Sequence, residues 1–146
     1  ERLFTTIESK LKLEILIAAH PKNLLINEVW NGRNVIVGET AQATKHSKLV
    51  LAHYTTAISF AVLSSKPILQ LTSNEYQRSV RSNRLLAFKN LLSLKTINID
   101  EFIDEDIDHE VFHYDEKFYK YYIANFLKSS DLDLEATWNL EKILLK

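Results

Sequence analysis

The chain alternates short, continuous apolar runs with longer stretches whose apolar residues recur at helical spacing. Leu3, Phe4, Ile7 and Leu11 mark one face of a helix over residues 3–13. "LEILIAA", from Leu13, has the pattern of a strand covered on both faces. It ends at His20-Pro21, because proline cannot continue a central strand. "NVIVG" (residues 34–38) and "KLVLAH" (residues 48–53) predict a second and a third strand, with a short helix over residues 39–47 between them. Residues 55–65 read as a helix apolar nearly all round, followed by a fourth strand, "PILQL". Residues 74–92 predict one long amphipathic helix with Arg78, Arg81, Arg84 and Lys89 on its polar positions. "LKTINI" (residues 94–99) predicts a fifth, edge strand. Two helices follow, about residues 115–128 and 132–145, with Asp131 as a cap between them.

Strands alternating with helices, at spacings too long for hairpins, imply right-handed crossovers and a parallel sheet. The expected architecture is therefore α/β: a Rossmann-like parallel sheet of four to five strands flanked by helices, with the C-terminal helices packed on it, in one domain over residues 1–146. Ligands of such sheets bind at the carboxyl ends of the strands. The unusual polar groups His20, Glu39 and the run His53, Tyr54, Thr55 and Thr56 all fall at such ends.

Composition narrows the picture. With 146 residues, 46% of them hydrophobic, the chain suits a single core. A formal net charge of -1 gives no protein-wide field for nucleic acid, so no nucleic-acid partner is expected. The absence of cysteine excludes disulfides and thiolate metal sites, and two glycines are too few for a Gly-rich phosphate loop. No apolar run approaches the roughly 20 residues that span a bilayer, and no signal peptide is visible, so a cytoplasmic location is expected. The chain opens at Glu1 inside a helical pattern and contains no methionine, from which we expect a piece of a longer protein, missing something on its N-terminal side. "GETAQATK" lacks the Gly-Lys-Ser/Thr of a P-loop, and neither G-x-G-x-x-G nor G-x-S-x-G occurs.

The polar groups at the strand ends each allow two readings. Thr55 and Thr56 sit where a helix begins, and unpaired N–H groups and the positive end of the macrodipole there attract phosphate; the alternative is that one threonine only caps. His20 can donate to a phosphate or stabilise a leaving group, or be a histidine bonded to backbone at a strand end. Glu39 can bind ribose hydroxyls or interact favourably with a helix N-terminus. Asn74 and Glu75, after the fourth strand, allow the same pair of readings, with capping the preferred role of Asn74. His53 is an acid, base or charge stabiliser beside the site, or a satisfied core histidine, and the core reading is preferred. In "DEFIDEDIDHE" (residues 100–110), His109 stands where a calcium loop needs glycine, so a solvated acidic loop is expected. His109 and His113 lack the glutamate of the zinc-protease motif, and the aromatic residues of "HYDEKFYKYY" fall at core spacing. No metal site is expected.

Taken together, "AAHPKN", "VGET" and "SKLVLAHYTTAISFAVLSSKPILQLTSNEY" resemble the C-terminal, donor-binding half of a GT-B glycosyltransferase. Bacterial sialyltransferases and polysialyltransferases carry a His-Pro motif followed by a paired Ser/Thr motif, and His20-Pro21 and Thr55-Thr56 match these in order. The CDP-glycerol glycerophosphotransferases of wall-teichoic-acid synthesis have a pattern similar to "AHYTTAISFAVLSSKPI", with His53 here replacing an aspartate and threonines replacing serines. The resemblance covers about residues 13–76. It implies a CMP- or CDP-activated donor, with His20 and the paired hydroxyls on the phosphate and Glu39 on the ribose. The implied nucleotide-binding set is His20, Pro21, Glu39, Thr40, Tyr54, Thr55 and Thr56, with His53, Asn74 and Glu75 as further candidates. His20 takes the catalytic role of stabilising the departing phosphate. The resemblance further implies a metal-independent enzyme with no cofactor beyond the nucleotide-sugar donor as substrate, and partners comprising a nucleotide-activated sugar or polyol and a glycan acceptor. The acidic catalytic base would lie in a missing N-terminal domain, which would also carry any peripheral association with the inner face of the membrane. This fragment alone would then be inactive in transfer. Two other functions compete: a sugar-nucleotide epimerase, which shares the fold and similar Ser/Thr turns, and a non-catalytic module whose acidic loop and Tyr-rich helix dock a partner.

Overall fold

The structure is a computed structural model and describes residues 1–20 and 30–127. Helix α1 (Arg2–Leu11) buries Leu3, Thr6 and Ile7 and stops at Lys12, whose left-handed backbone (φ 55°) turns the chain toward β1. Strands β1 (Leu16–Ala19) and β2 (Asn34–Val37) pair in parallel, Leu16 beside Asn34 through Ala19 beside Val37. After β2 come α2 (Thr40–His46), β3 (Val50–Ala52), α3 (Ile58–Leu63) and β4 (Ile68–Thr72). Then α4 (Asn74–Arg78), α5 (Ser82–Leu92) and β5 (Lys95–Asn98) lead through two 3-10 turns to α6 (Glu116–Tyr122), which runs on as a π-helical turn, Ile123–Leu127.

The fold is α/β, with two parallel sheets flanked by helices: the pair β1-β2 and the triplet β3-β4-β5, with β4 central and β5 at an edge. The continuous sheet expected from the sequence is thus divided. Side chains rather than a ladder join the two parts, because Ile15, Ile17, Leu51, Leu69 and Ile97 share one apolar cluster with Leu3 and Ile7 of α1. A second cluster on the other face of β4 brings together Ile58, Ala61 and Val62 of α3, Ile68, Leu92, Leu94, and Tyr119 and Tyr122 of α6. Ile68 and Leu69 belong to opposite clusters, as successive strand residues must. Two faces of burial explain the unbroken apolar run of β4.

Several boundaries differ from the sequence pattern. β1 begins at Leu16 rather than Leu13, and Leu16 is 47% exposed, so this strand is covered on one side only. The expected helix over residues 74–92 is two helices, with Ser79 extended between them. Ser79 Oγ donates to the Tyr76 carbonyl (2.7 Å) and accepts from the Arg81 N–H (3.2 Å). Such local side-chain bonds compete with the helical ladder and break it here. The basic residues Arg78, Arg81, Arg84 and Lys89 are all exposed, as the pattern implied. Asp115 caps α6 by accepting from the Lys117 N–H (2.8 Å). The expected helix over 132–145 and its Asp131 cap lie outside the described residues.

Arg33 fastens β2 to α1. Its guanidinium donates to both carboxylate oxygens of Glu8 (2.7 and 2.8 Å) and to Glu1 (2.8 Å), and lies 5.3 Å from the centre of the Phe4 ring. These bonds hold both carboxylates below the usual glutamate range. Among the described residues no helix is long and apolar enough to cross a membrane.

Candidate ligand-binding edge

Parallel pairing puts the carboxyl ends of β1 and β2 side by side, and those of β3, β4 and β5 side by side. His20 follows β1 directly and is exposed. Pro21, its partner in the His-Pro motif, lies outside the described residues. Glu39 follows Gly38, whose positive φ (82°) turns the chain out of β2. Glu39 holds the N-cap position of α2 with its side chain making no cap bond, and it is exposed; Thr40 begins the helix, half-buried. Helix α2 packs on both β1 and α3.

At the end of β3, His53 is exposed rather than a core histidine. Its ring meets Tyr76 edge-on at 4.1 Å between centroids, and this partial desolvation holds its imidazole below the ordinary histidine value. Tyr54 is half-buried against Phe88 (5.9 Å), with the Arg84 guanidinium 5.6 Å above its ring.

Thr55 and Thr56 are exposed and lie in a turn before α3, whose N-cap is Ala57. Thr55 Oγ1 accepts from the Ala57 N–H (3.2 Å), while the Thr55 and Thr56 carbonyls accept from Ile58 (3.3 Å) and Ser59 (3.1 Å). The Phe60 N–H is taken by the Ala57 carbonyl (3.0 Å). The first amides of α3 are therefore occupied within the turn, beside the exposed side chains of Thr55 and Thr56.

Asn74 is not the cap of α4. Ser73 caps it, accepting from the Tyr76 N–H (3.1 Å), while Asn74 is tied down from both ends. Its N–H donates to Asp100 (2.7 Å) and its side-chain oxygen accepts from Asn98 (2.7 Å), which closes the ends of β4 and β5 together. Glu75 stands exposed in the first turn of α4.

The structure thus gathers Glu39 and His20 at one pair of strand ends, and His53 to Thr56 with Asn74 and Glu75 at the other. It also shows groups that pattern reading missed. Gln70, wholly buried in β4, donates to the Leu85 carbonyl (3.0 Å) and accepts from Thr96 (2.9 Å). Tyr76 is the partner of His53, and Arg84 reaches the edge by stacking on Tyr54. The signal for the first was present: Gln70 and Thr72 are polar at alternate positions of an otherwise apolar strand. The acidic loop forms two short 3-10 turns, in which Asp104 meets Arg2 (3.0 Å) and Asp108 meets Lys95 (3.3 Å). Among the described residues no three His, Asp or Glu side chains gather closely enough to hold a metal ion. No protein-family model, curated protein or solved structure matches this chain.

Proposed function

We propose that this chain is the donor-nucleotide-binding domain of a metal-independent glycosyltransferase, using a CMP- or CDP-activated sugar or polyol for bacterial surface polysaccharide in the cytoplasm. One observation carries the reading: His20, Glu39, Thr55 and Thr56 all stand exposed within four residues of the carboxyl ends of parallel strands, the ends where α/β sheets bind ligands. The same four residues carry the resemblance to the donor-binding half of GT-B enzymes.

In this role His20 and the threonine hydroxyls donate to the donor phosphate, and Glu39 accepts from the ribose hydroxyls. Arg84, held over Tyr54, supplies a cation beside the threonine turn. As the glycosidic bond breaks, negative charge grows on the departing phosphate, and donors already aimed at it lower the barrier. Because the amides opening α3 are internally bonded, the side chains carry this task. Transfer to a glycan acceptor requires the second half that such enzymes possess.

Calorimetric titration with CMP, CDP and UDP tests the proposal. Saturable binding of CMP or CDP, tighter than UDP, is expected. His20→Ala and Thr56→Ala should each weaken it by about tenfold, the loss of one bond to a charged group. A folded protein that binds none of the three nucleotides would refute the reading.

A further inference from the structure

The turn between α4 and α5 is bonded from within and carries an apolar residue in its middle. Ser79 Oγ donates to the Tyr76 carbonyl and accepts from the Arg81 N–H, and the Ser79 carbonyl accepts from the Ser82 N–H (3.1 Å). The Tyr76 hydroxyl donates to the Arg81 carbonyl (3.3 Å). Val80, inside this bonded turn, is 96% exposed, the most exposed large apolar side chain among the described residues. Leu86, on α5, is 51% exposed. Single exposed apolar residues are ordinary on a protein surface. The charge around these two decides what they signify.

From Tyr76 to Ile99 the chain carries five cations, Arg78, Arg81, Arg84, Lys89 and Lys95, and no carboxylate, although its net charge is -1. The arginines divide into two kinds. Arg2 and Arg33 each meet a carboxylate, whereas the exposed Arg78, Arg81 and Arg84 form no ion pair among the described residues. Even Glu75, one helical turn before Arg78, pairs with none of them. Unpaired arginines suit an anionic partner, and their planar forks match phosphate oxygens. Single-stranded nucleic acid would call for exposed aromatic faces, but Tyr54, Tyr76 and Phe88 are half-buried. A layer that is anionic at its surface and apolar beneath satisfies both the arginines and the two aliphatic side chains.

We propose that the α4–α5 corner docks on an anionic lipid surface, with Arg78 and Arg81 on headgroup phosphates, Arg84 adding to the attraction, and Val80 and Leu86 entering the acyl boundary. The contact belongs to the residues of this chain. It holds whether or not the strand ends bind nucleotide.

Co-sedimentation of the whole chain with lipid vesicles tests the proposal. Vesicles of equimolar phosphatidylglycerol and phosphatidylcholine should carry the protein down, and vesicles of phosphatidylcholine alone should not. Binding should weaken as salt rises, since charges are screened beyond about 8 Å at physiological ionic strength. Arg78→Gln should lower the partition coefficient about fivefold, and Arg78→Gln with Arg81→Gln about 25-fold. Val80→Ser, which leaves every charge in place, should lower it severalfold. These side chains are exposed, so an unchanged circular dichroism melt shows that the variants remain folded. Any nucleotide binding seen in the parent should persist in the double arginine variant, which separates the corner from the strand-end edge. No binding to the anionic vesicles, equal binding to neutral ones, tighter binding to single-stranded RNA or polyglutamate, or unchanged partition in either the double arginine variant or Val80→Ser would each overturn the proposal.

Discussion

Replacing Gln70 by leucine removes the polar joint between the central strand and α5. Gln70 is fully buried, donating to the Leu85 carbonyl at 3.0 Å and accepting from Thr96 Oγ1 at 2.9 Å. Each neutral hydrogen bond contributes about 1 kcal/mol net, so the pair is worth about 2 kcal/mol. The Leu85 carbonyl lies inside α5 and keeps a helical partner, so little further penalty falls there. Thr96 is half-buried and loses its acceptor, which adds about 1 kcal/mol. Burying leucine in place of an amide returns a similar amount. The expected loss is about 2 kcal/mol, or roughly 6–10 °C in midpoint for a domain of this size.

Urea unfolding followed by circular dichroism measures it directly. Adding Thr96→Val to Gln70→Leu removes the stranded hydroxyl and should recover about 1 kcal/mol, since apolar replacement of both partners is close to neutral. If Gln70→Leu is as stable as the parent, or if the two substitutions add without coupling, the network does not hold α5 to the sheet as described.

Two further predictions concern titrating groups. His53 should titrate below the ordinary histidine value near 6.5, because contact with Tyr76 favours its neutral form. Its folded-state pKa is depressed, so its small contribution to stability is present above that value and lost as pH falls through the folded pKa. NMR titration of the imidazole should show Tyr76→Ala raising the midpoint, and a midpoint at or above the ordinary value in the parent would refute the contact. Tyr119, 3% exposed, donates to the Lys66 carbonyl at 2.8 Å, and burial pushes its phenol well above the ordinary value near 10. Its stability contribution is full below that value and falls as pH rises above it. Tyr119→Phe should cost about 1 kcal/mol by urea unfolding and flatten the alkaline fall in stability; an unchanged alkaline limb would count against the bond.

All five strands among the described residues could be read from the chain, because short apolar runs bounded by polar turns have few other interpretations. Their parallel pairing followed from the spacing between them. What the pattern hid was decided by single side chains. Ser79 divides one amphipathic stretch into two helices through two hydrogen bonds that periodicity does not register. Thr55 and Thr56 read as helix residues because the apolar run continues past them, yet backbone bonding places the helix start at Ile58. At the candidate edge, the types and order of His20, Glu39 and the threonine pair were legible, whereas the partners of His53 and Asn74 come from elements 20 or more residues away. Gln70 stood out as a polar position in an apolar strand, but its partners, Leu85 on α5 and Thr96 on β5, come from elements that the local pattern does not bring to it.

The clamp that α6 places on α3 also bears on how the protein is made. Ser59 meets the Tyr122 hydroxyl at 3.0 Å across 63 positions of sequence, and Tyr119 reaches Lys66 across 53. At roughly 5–20 residues per second, a ribosome needs several seconds to extend the chain from one partner to the other. During that interval Ile58, Ala61 and Val62 have emerged without the tyrosines that finally cover them. The nascent chain therefore passes through a stage in which its most apolar helix is exposed. Holdase chaperones should engage this protein at that stage and release it once Tyr122 has arrived.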